Sequence, residues 1–132
     1  MDRPQASFLA LVVAQTVHSL EEYVGRLYDV FPPAAFVSGL LSADRRLGFI
    51  VFNFALIAFG VLCFLGPLRR HWSSEVVMAW LWVGIELVNG IGHLLWSLYQ
   101  HGYTPGLATA PLLLILALLL ARDLRAMPRQ SS

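Results

Sequence analysis

One short motif, His18-Ser19-Leu20-Glu21-Glu22, places three reactive side chains close together in an otherwise apolar stretch. His18 lies three residues before Glu21 and four before Glu22, so a helix presents all three on one face. Imidazole and carboxylate groups bind transition metals and transfer protons. The motif is therefore a candidate for either chemistry.

A second polar stripe interrupts a later apolar run. Glu86, Asn89 and His93 stand at positions i, i+3 and i+7, which share one face of a helix. An ionisable residue inside a membrane span costs roughly 2.5–3.5 kcal/mol on insertion scales and is a functional candidate by default. The two stripes can form one site only if the fold places their helices side by side.

The composition identifies the class of protein that holds these stripes. The 132 residues are 58% hydrophobic and 13% charged, with a mean hydropathy of +0.67, whereas soluble domains are about 45–50% apolar and about 25% charged. A net charge of +1 excludes a nucleic-acid binder. The single cysteine, Cys63, excludes disulfides and cysteine-based metal sites. We expect a single domain, 1–132, of an integral membrane protein.

The apolar runs predict an all-α fold, an antiparallel four-helix transmembrane bundle. A span needs roughly 20 mostly apolar residues, and we place the four spans near 6–24, 46–66, 75–99 and 106–122. The intervening segment 27–41 is expected to lie in the membrane interface.

The arginine distribution predicts the orientation of the spans. Every basic residue is Arg, and the side with more of them is expected to be cytoplasmic. This bias puts both termini in the cytoplasm, in a bacterial cytoplasmic membrane. One side holds Arg3, Arg69, Arg70, Arg122, Arg125 and Arg129, and the other holds Arg26, Arg45 and Arg46.

The bundle would bring the two polar stripes to one depth. The first and third spans run in the same direction, and His18 and His93 each lie about six residues, or roughly 9 Å, from the end of their span. Asn53 on the second span lies at a similar depth. We expect His18, Glu22, Glu86 and His93 to bind a divalent metal, since nitrogen and oxygen ligands suit zinc, iron or manganese.

The remaining site residues are given supporting roles. Of Glu21, Glu22 and Glu86, a carboxylate that does not bind the metal is expected to act as the catalytic acid or base. Asn53, Asn89 and Tyr103 are expected to support the ligands. Tyr103 precedes Pro105-Gly106, a pair typical of a type II turn, and is expected at the mouth of the site.

These motifs resemble a known family of small integral membrane proteins, the one named for its HXXEE motif. The resemblance rests on His18-x-x-Glu21-Glu22, the later His93 and Tyr103-x-Pro105-Gly106. It implies an integral membrane protein with a metal-binding or catalytic site, and it implies no substrate.

Three functions remain open from the sequence. The first is a metal-dependent membrane enzyme acting on a hydrophobic small molecule, and the second is a metal-free acid–base isomerase or cyclase. The third is a non-enzymatic ion-handling, proton-handling or accessory protein. The lipid bilayer is an expected partner in each case, and the oligomeric state is left open. Plain packing is an alternative for each residue, because Glu22 can pair with Arg26 and histidines can hydrogen-bond between helices.

Overall fold

The computed structural model describes residues 1–128, and every regular element in this range is helical, which confirms the all-α fold. Residues 129–132, including Arg129 of the orientation argument, lie outside the described part. The helices are α1 (Arg3–Val24), α2 (Leu27–Val30), α3 (Pro32–Leu41), α4 (Arg45–Cys63, continued by a π-helical turn over Phe64–Leu68), α5 (Glu75–Tyr99) and α6 (Ala110–Arg125).

The beginning of α1 is set by local capping. The Asp2 side chain accepts from the backbone N–H of Gln5 at 2.9 Å, and the Gln5 side chain accepts from the backbone N–H of Asp2 at 3.2 Å. This reciprocal pair satisfies two N–H groups that a helix start leaves free. Pro4 adds a residue with a helical φ in the first turn. The helix therefore begins at Arg3, three residues before the predicted span.

Contacts at both ends of α1 fix its direction relative to α6. Ser7 Oγ donates to Asp123 Oδ2 at 2.6 Å near the start of α1 and the end of α6. At the other end, the backbone N–H of Thr109 donates to Glu21 Oε2 at 2.9 Å. The two helices are thus antiparallel neighbours.

The contacts between α1 and α5 show the opposite relation, with the two helices pointing in the same direction. Asn89 Nδ2 lies 3.1 Å from Gln15 Oε1, and further along both helices His93 Nε2 lies 2.9 Å from Glu22 Oε1. These helices are therefore parallel, as the sequence predicted for its first and third spans. The main core fills the space among α1, α5 and α6; its fully buried large side chains are Phe8, Leu11, Trp82, Leu113 and Leu120.

The segment predicted for the membrane interface forms α2 and α3, and α3 packs closely on α4. A Cβ atom on Gly48 would collide with the backbone of Ser38, so only glycine allows this approach. The outer side of α3 exposes Phe36 and Leu40. These two helices form one wall of a cavity next to α4 and α5.

Two helical segments within residues 1–128 are long and apolar enough to cross a membrane. They are Arg45–Leu68 and Glu75–Tyr99. The last predicted span, 106–122, is displaced, because α6 begins at Ala110 and ends at Arg125. Residues 104–109 instead form turns, and two backbone N–H groups at their end donate to Glu21.

Candidate metal centre

Three of the predicted ligands meet between α1 and α5. Glu22 Oε1 lies 3.3 Å from His18 Nε2 and 2.9 Å from His93 Nε2. One ligand atom from each residue lies within 4.8 Å of the others, and all three side chains are buried. The imidazole rings meet edge to face with their centroids 4.6 Å apart. This separation is compatible with both histidines binding one ion.

A hydrogen-bond relay fixes the proton of His18. Thr109 Oγ1 donates to Glu21 Oε2 at 2.5 Å and lies 2.6 Å from His18 Nδ1. Because a hydroxyl group has one proton and that proton goes to the carboxylate, the oxygen must accept from Nδ1–H of His18. Neutral His18 then carries its lone pair on Nε2, on the side of Glu22.

No hydrogen-bond donor among the described residues reaches that lone pair. His18 Nε2 is buried and has no hydrogen-bond partner among residues 1–128. Buried polar atoms are nearly always paired, so an unpaired one requires an explanation. A nitrogen lone pair that faces a carboxylate oxygen can share a cation with it. The relay to Glu21 is the kind of outer partner that fixes the tautomer of a metal-binding histidine.

Glu21 anchors the loop before α6 and does not enter the cluster. Its oxygens accept from the backbone N–H of Ala108 at 3.0 Å, from both donors of Thr109, and from the hydroxyl of Tyr103 at 2.7 Å. A carboxylate at a helix N-terminus also interacts favourably with the helix dipole. With both oxygens occupied, Glu21 positions the loop and His18. The expected catalytic role for Glu21 is not matched by this geometry.

The predicted turn centred on Pro105 and Gly106 closes one side of the site. The backbone N–H of Leu107 donates to the carbonyl of Thr104 at 3.1 Å, and Gly106 has a φ of +97°, as a type II turn requires. A Cβ atom on Gly106 would collide with the His93 imidazole. The hydrogen bond to Glu21, with partial burial, raises the pKa of Tyr103 to about 12. The phenol therefore stays a neutral donor at physiological pH.

Glu86 lies outside the cluster, although it shares a helical face with His93. Seven residues separate the two, which is roughly 10 Å along a helix, so a common face does not give a common depth. Its carboxyl group is fully buried, with an oxygen 2.8 Å from the terminal amide of Gln15. The expectation that Glu86 is a metal ligand is therefore not met in this arrangement.

Asn53 and Asn89 support a polar row beside the cluster. Asn53 Oδ1 accepts from Ser19 Oγ at 2.7 Å, and Gln15 Nε2 donates to Ser19 Oγ at 3.0 Å. Asn89 donates to Gln15. The row connects α1, α4 and α5 next to Glu22, and the supporting role of the two asparagines stays a prediction.

Sequence reasoning missed Gln15 and Thr109. Gln15 stands three residues before His18 and seven before Glu22, so the same helical stripe already included it. Thr109 gave no such signal, because a turn far along the chain delivers its hydroxyl to His18. Only the fold reveals that contact.

The chemistry of the donor set is compatible with a divalent ion. Two imidazole nitrogens and one carboxylate oxygen suit zinc, iron or manganese. Three protein ligands that leave a further coordination position free are typical of catalytic rather than structural zinc sites.

A comparison with known protein families gives a match over most of the chain. The sequence profile of a family described as "Protein of unknown function with HXXEE motif" matches residues 9–121. No curated protein and no solved structure matches the chain.

Proposed function

The chain belongs to the HXXEE-motif family, and we propose that it is an integral membrane enzyme with one divalent metal ion at His18, Glu22 and His93. Its substrate would be a lipophilic small molecule. The observation that carries this proposal is the buried, unpartnered Nε2 of His18, whose lone pair the relay through Thr109 turns toward Glu22.

The relay supports metal binding more strongly than plain packing. Two histidines that only hydrogen-bonded between helices would have their polar atoms paired, and His18 Nε2 is not. A zinc, iron or manganese ion bound at this position would supply Lewis-acid activation of an oxygen atom. Glu22 would offset part of the ion's charge, which lowers the cost of holding a cation among buried residues.

Two further helices, α1 and α6, have apolar outer surfaces that suit a membrane. The outer side of α1 exposes Val13, Val17 and Leu20, and that of α6 exposes Leu112, Ile115 and Leu118. Contiguous apolar surface of this kind is unfavourable in water and is suited to lipid. We propose that α1, α4, α5 and α6 all lie in the bilayer, with both termini in the cytoplasm.

Reporter fusions test this topology. A fluorescent protein that folds only in the cytoplasm, fused separately to each terminus, is expected to fluoresce in both fusions. A periplasmic alkaline phosphatase at the same positions is expected to be inactive. Phosphatase activity at either terminus would contradict the four-span arrangement with cytoplasmic ends.

The metal content of purified protein tests the site. Detergent-purified protein is loaded separately with zinc, iron(II) or manganese, freed of excess ion, and measured by mass spectrometry of the elements. About one ion per chain is expected for at least one metal, and Glu22→Gln is expected to lose it. The matched control is Glu75→Gln, which removes the carboxylate of an exposed His–Glu pair with the same spacing. Equal metal content in the two variants would overturn the proposal.

A contact of Glu86 favours a second candidate, a metal-free acid–base enzyme. Glu86 is fully buried, and the terminal amide of Gln15 lies 2.8 Å from its carboxyl group. A buried carboxyl group held by a neutral amide is positioned to donate or accept a proton. If the protein is a metal-free acid–base enzyme, Glu86→Gln is expected to abolish turnover and removal of metal by a chelator is expected to leave it unchanged. If it is a metal-dependent enzyme, the chelator is expected to abolish turnover.

A further inference from the structure

A cavity of roughly 780 Å³ lies beside the cluster, between α4 and α5, with α3 as a further wall. Its volume falls within the range of about 300–1,000 Å³ that small-molecule sites have. Most of its surface is apolar; the side chains that form this part include Phe49, Phe52, Leu56, Leu81, Ile85 and Val88.

One side of the cavity reaches the candidate metal centre. Glu22 and His93 line it, and Gln15, Asn53 and Asn89 from the polar row line it as well. A molecule in the cavity would therefore place a hydrocarbon part among aliphatic and aromatic side chains and a polar group near the cluster. This division requires an amphiphilic ligand.

The polar side of the cavity is poorly suited to an anionic head group. None of the described residues that line it is Arg or Lys, and Glu22 contributes a carboxylate. Each amide nitrogen that lines the cavity already donates one of its two hydrogen bonds, Asn53 Nδ2 to the carbonyl of Phe49 at 3.1 Å, Gln15 Nε2 to Ser19 and Asn89 Nδ2 to Gln15. A phosphate, with several acceptor oxygens, would lose its hydration with few replacement donors. A hydroxyl group, by contrast, can donate its proton to the Glu22 carboxylate that lines this side.

The mouth of the cavity opens sideways on the apolar surface of the helices. Val88 and Leu81 on α5 and Phe52 on α4 line the cavity and are also exposed on the outer surface, Val88 to 76%. These residues belong to the two segments that are long and apolar enough to cross a membrane. A ligand would thus enter from the hydrocarbon layer rather than from water.

We propose that this cavity binds a membrane-derived lipophilic alcohol, an uncharged molecule whose hydroxyl group can donate a hydrogen bond to Glu22. The oxygen is directed at Glu22 and His93, and the hydrocarbon part extends toward the opening between α4 and α5. This assignment rests on the proposed function, because it names the substrate class of the same site. Binding in the cavity itself does not require the metal.

Two glycines of α5 give a matched pair of variants. Gly84 lines the cavity, and a Cβ atom there would meet no atom within 4 Å, so Gly84→Leu fills the cavity without a clash at its Cβ position. Gly92 is equally open at its Cβ position and does not line the cavity. Gly92→Leu is therefore the control for the loss of a helical glycine.

The test measures quenching of tryptophan fluorescence, since Trp80 lines the cavity. The probes are 12-bromododecan-1-ol, 12-bromododecyl phosphate and 1-bromododecane, added to detergent-purified protein after chelator treatment and again after zinc loading. We expect saturable quenching by the alcohol, with at least tenfold weaker binding of the phosphate and of the bromoalkane. Gly84→Leu is expected to lose at least tenfold in affinity for the alcohol, and Gly92→Leu is expected to retain it.

Equal binding of the three probes would overturn the head-group assignment. This comparison uses the unaltered protein, so it does not depend on whether a variant folds. Equal quenching in Gly84→Leu and Gly92→Leu would overturn the cavity as the binding site. Alcohol binding to chelator-treated protein that takes up no metal would support this inference and contradict only the proposed metal centre. Metal uptake without alcohol binding would support the proposed metal centre and contradict the assignment of the cavity to a lipophilic alcohol.

Discussion

The chain contains two His–Glu pairs with the same four-residue spacing, near opposite ends of α1. His18 and Glu22 are 3.3 Å apart and almost fully buried. His71 and Glu75 are 3.0 Å apart, and the His71 side chain is 60% exposed. Spacing alone therefore does not distinguish a site from a surface ion pair.

The two histidines differ in how their nitrogens are used. In His71, Nδ1 faces Glu75 and Nε2 lies 3.5 Å from the Gln5 amide, so both nitrogens have partners. In His18, Thr109 takes the Nδ1 proton and Nε2 has no hydrogen-bond partner within the described residues. His93 then approaches the same Glu22 oxygen. A second imidazole and a fixed tautomer separate the candidate centre from the surface pair.

The largest expected difference comes from removing one histidine of each pair. His18→Gln deletes a proposed ligand, so the zinc dissociation constant is expected to rise by more than ~100-fold, beyond the ~10–100-fold that losing an outer partner costs. His71→Gln is expected to leave it unchanged. Competition with a chromophoric chelator measures both constants, and a similar loss in the two variants would remove the distinction between the pairs.

A smaller effect is expected from the relay. Thr109→Val keeps the shape of the side chain but removes the hydroxyl that orients His18, so zinc affinity is expected to fall by ~10–100-fold. Thr109→Ser keeps the hydroxyl and is expected to retain most of the affinity. The same titration measures both variants. Unchanged affinity in Thr109→Val would mean that the tautomer of His18 is set in another way.

The smallest effect is expected at Tyr103, and it depends on pH. The neutral phenol is stabilised in the folded state, where its pKa is about 12 against an ordinary value of 10. This contribution is fully present below pH 10 and is lost as the pH rises through 12. Tyr103→Phe is expected to lower the melting temperature at pH 8, with the gap from the unaltered protein narrowing above pH 10. A gap that does not change with pH would contradict the hydrogen bond to Glu21.

The sequence predicted the long helices well because their signals are local. Apolar length placed α4 and α5 within a few residues, and the spacing of His18 and Glu22 predicted a shared face. The start of α6 was placed near 106 instead of Ala110. That boundary depends on Glu21, a residue far away in the chain that takes the N–H groups of the preceding turn.

The sequence predicted only some of the residues of the candidate site, because its signals are local. Helical periodicity gives the face of a residue, and it selected His18, Glu22 and His93 correctly as neighbours. It also selected Glu86, which shares the face of His93 but lies at another depth. Thr109 was missed entirely, because a hydroxyl in a turn has no periodic signal.

X-ray absorption spectroscopy of the zinc-loaded protein is the most direct test of the candidate centre. We expect two imidazole ligands at about 2.0–2.1 Å, reduced to one in His93→Gln and kept at two in His71→Gln. Two imidazoles in His93→Gln, or none in the unaltered protein, would contradict a centre formed by His18, Glu22 and His93.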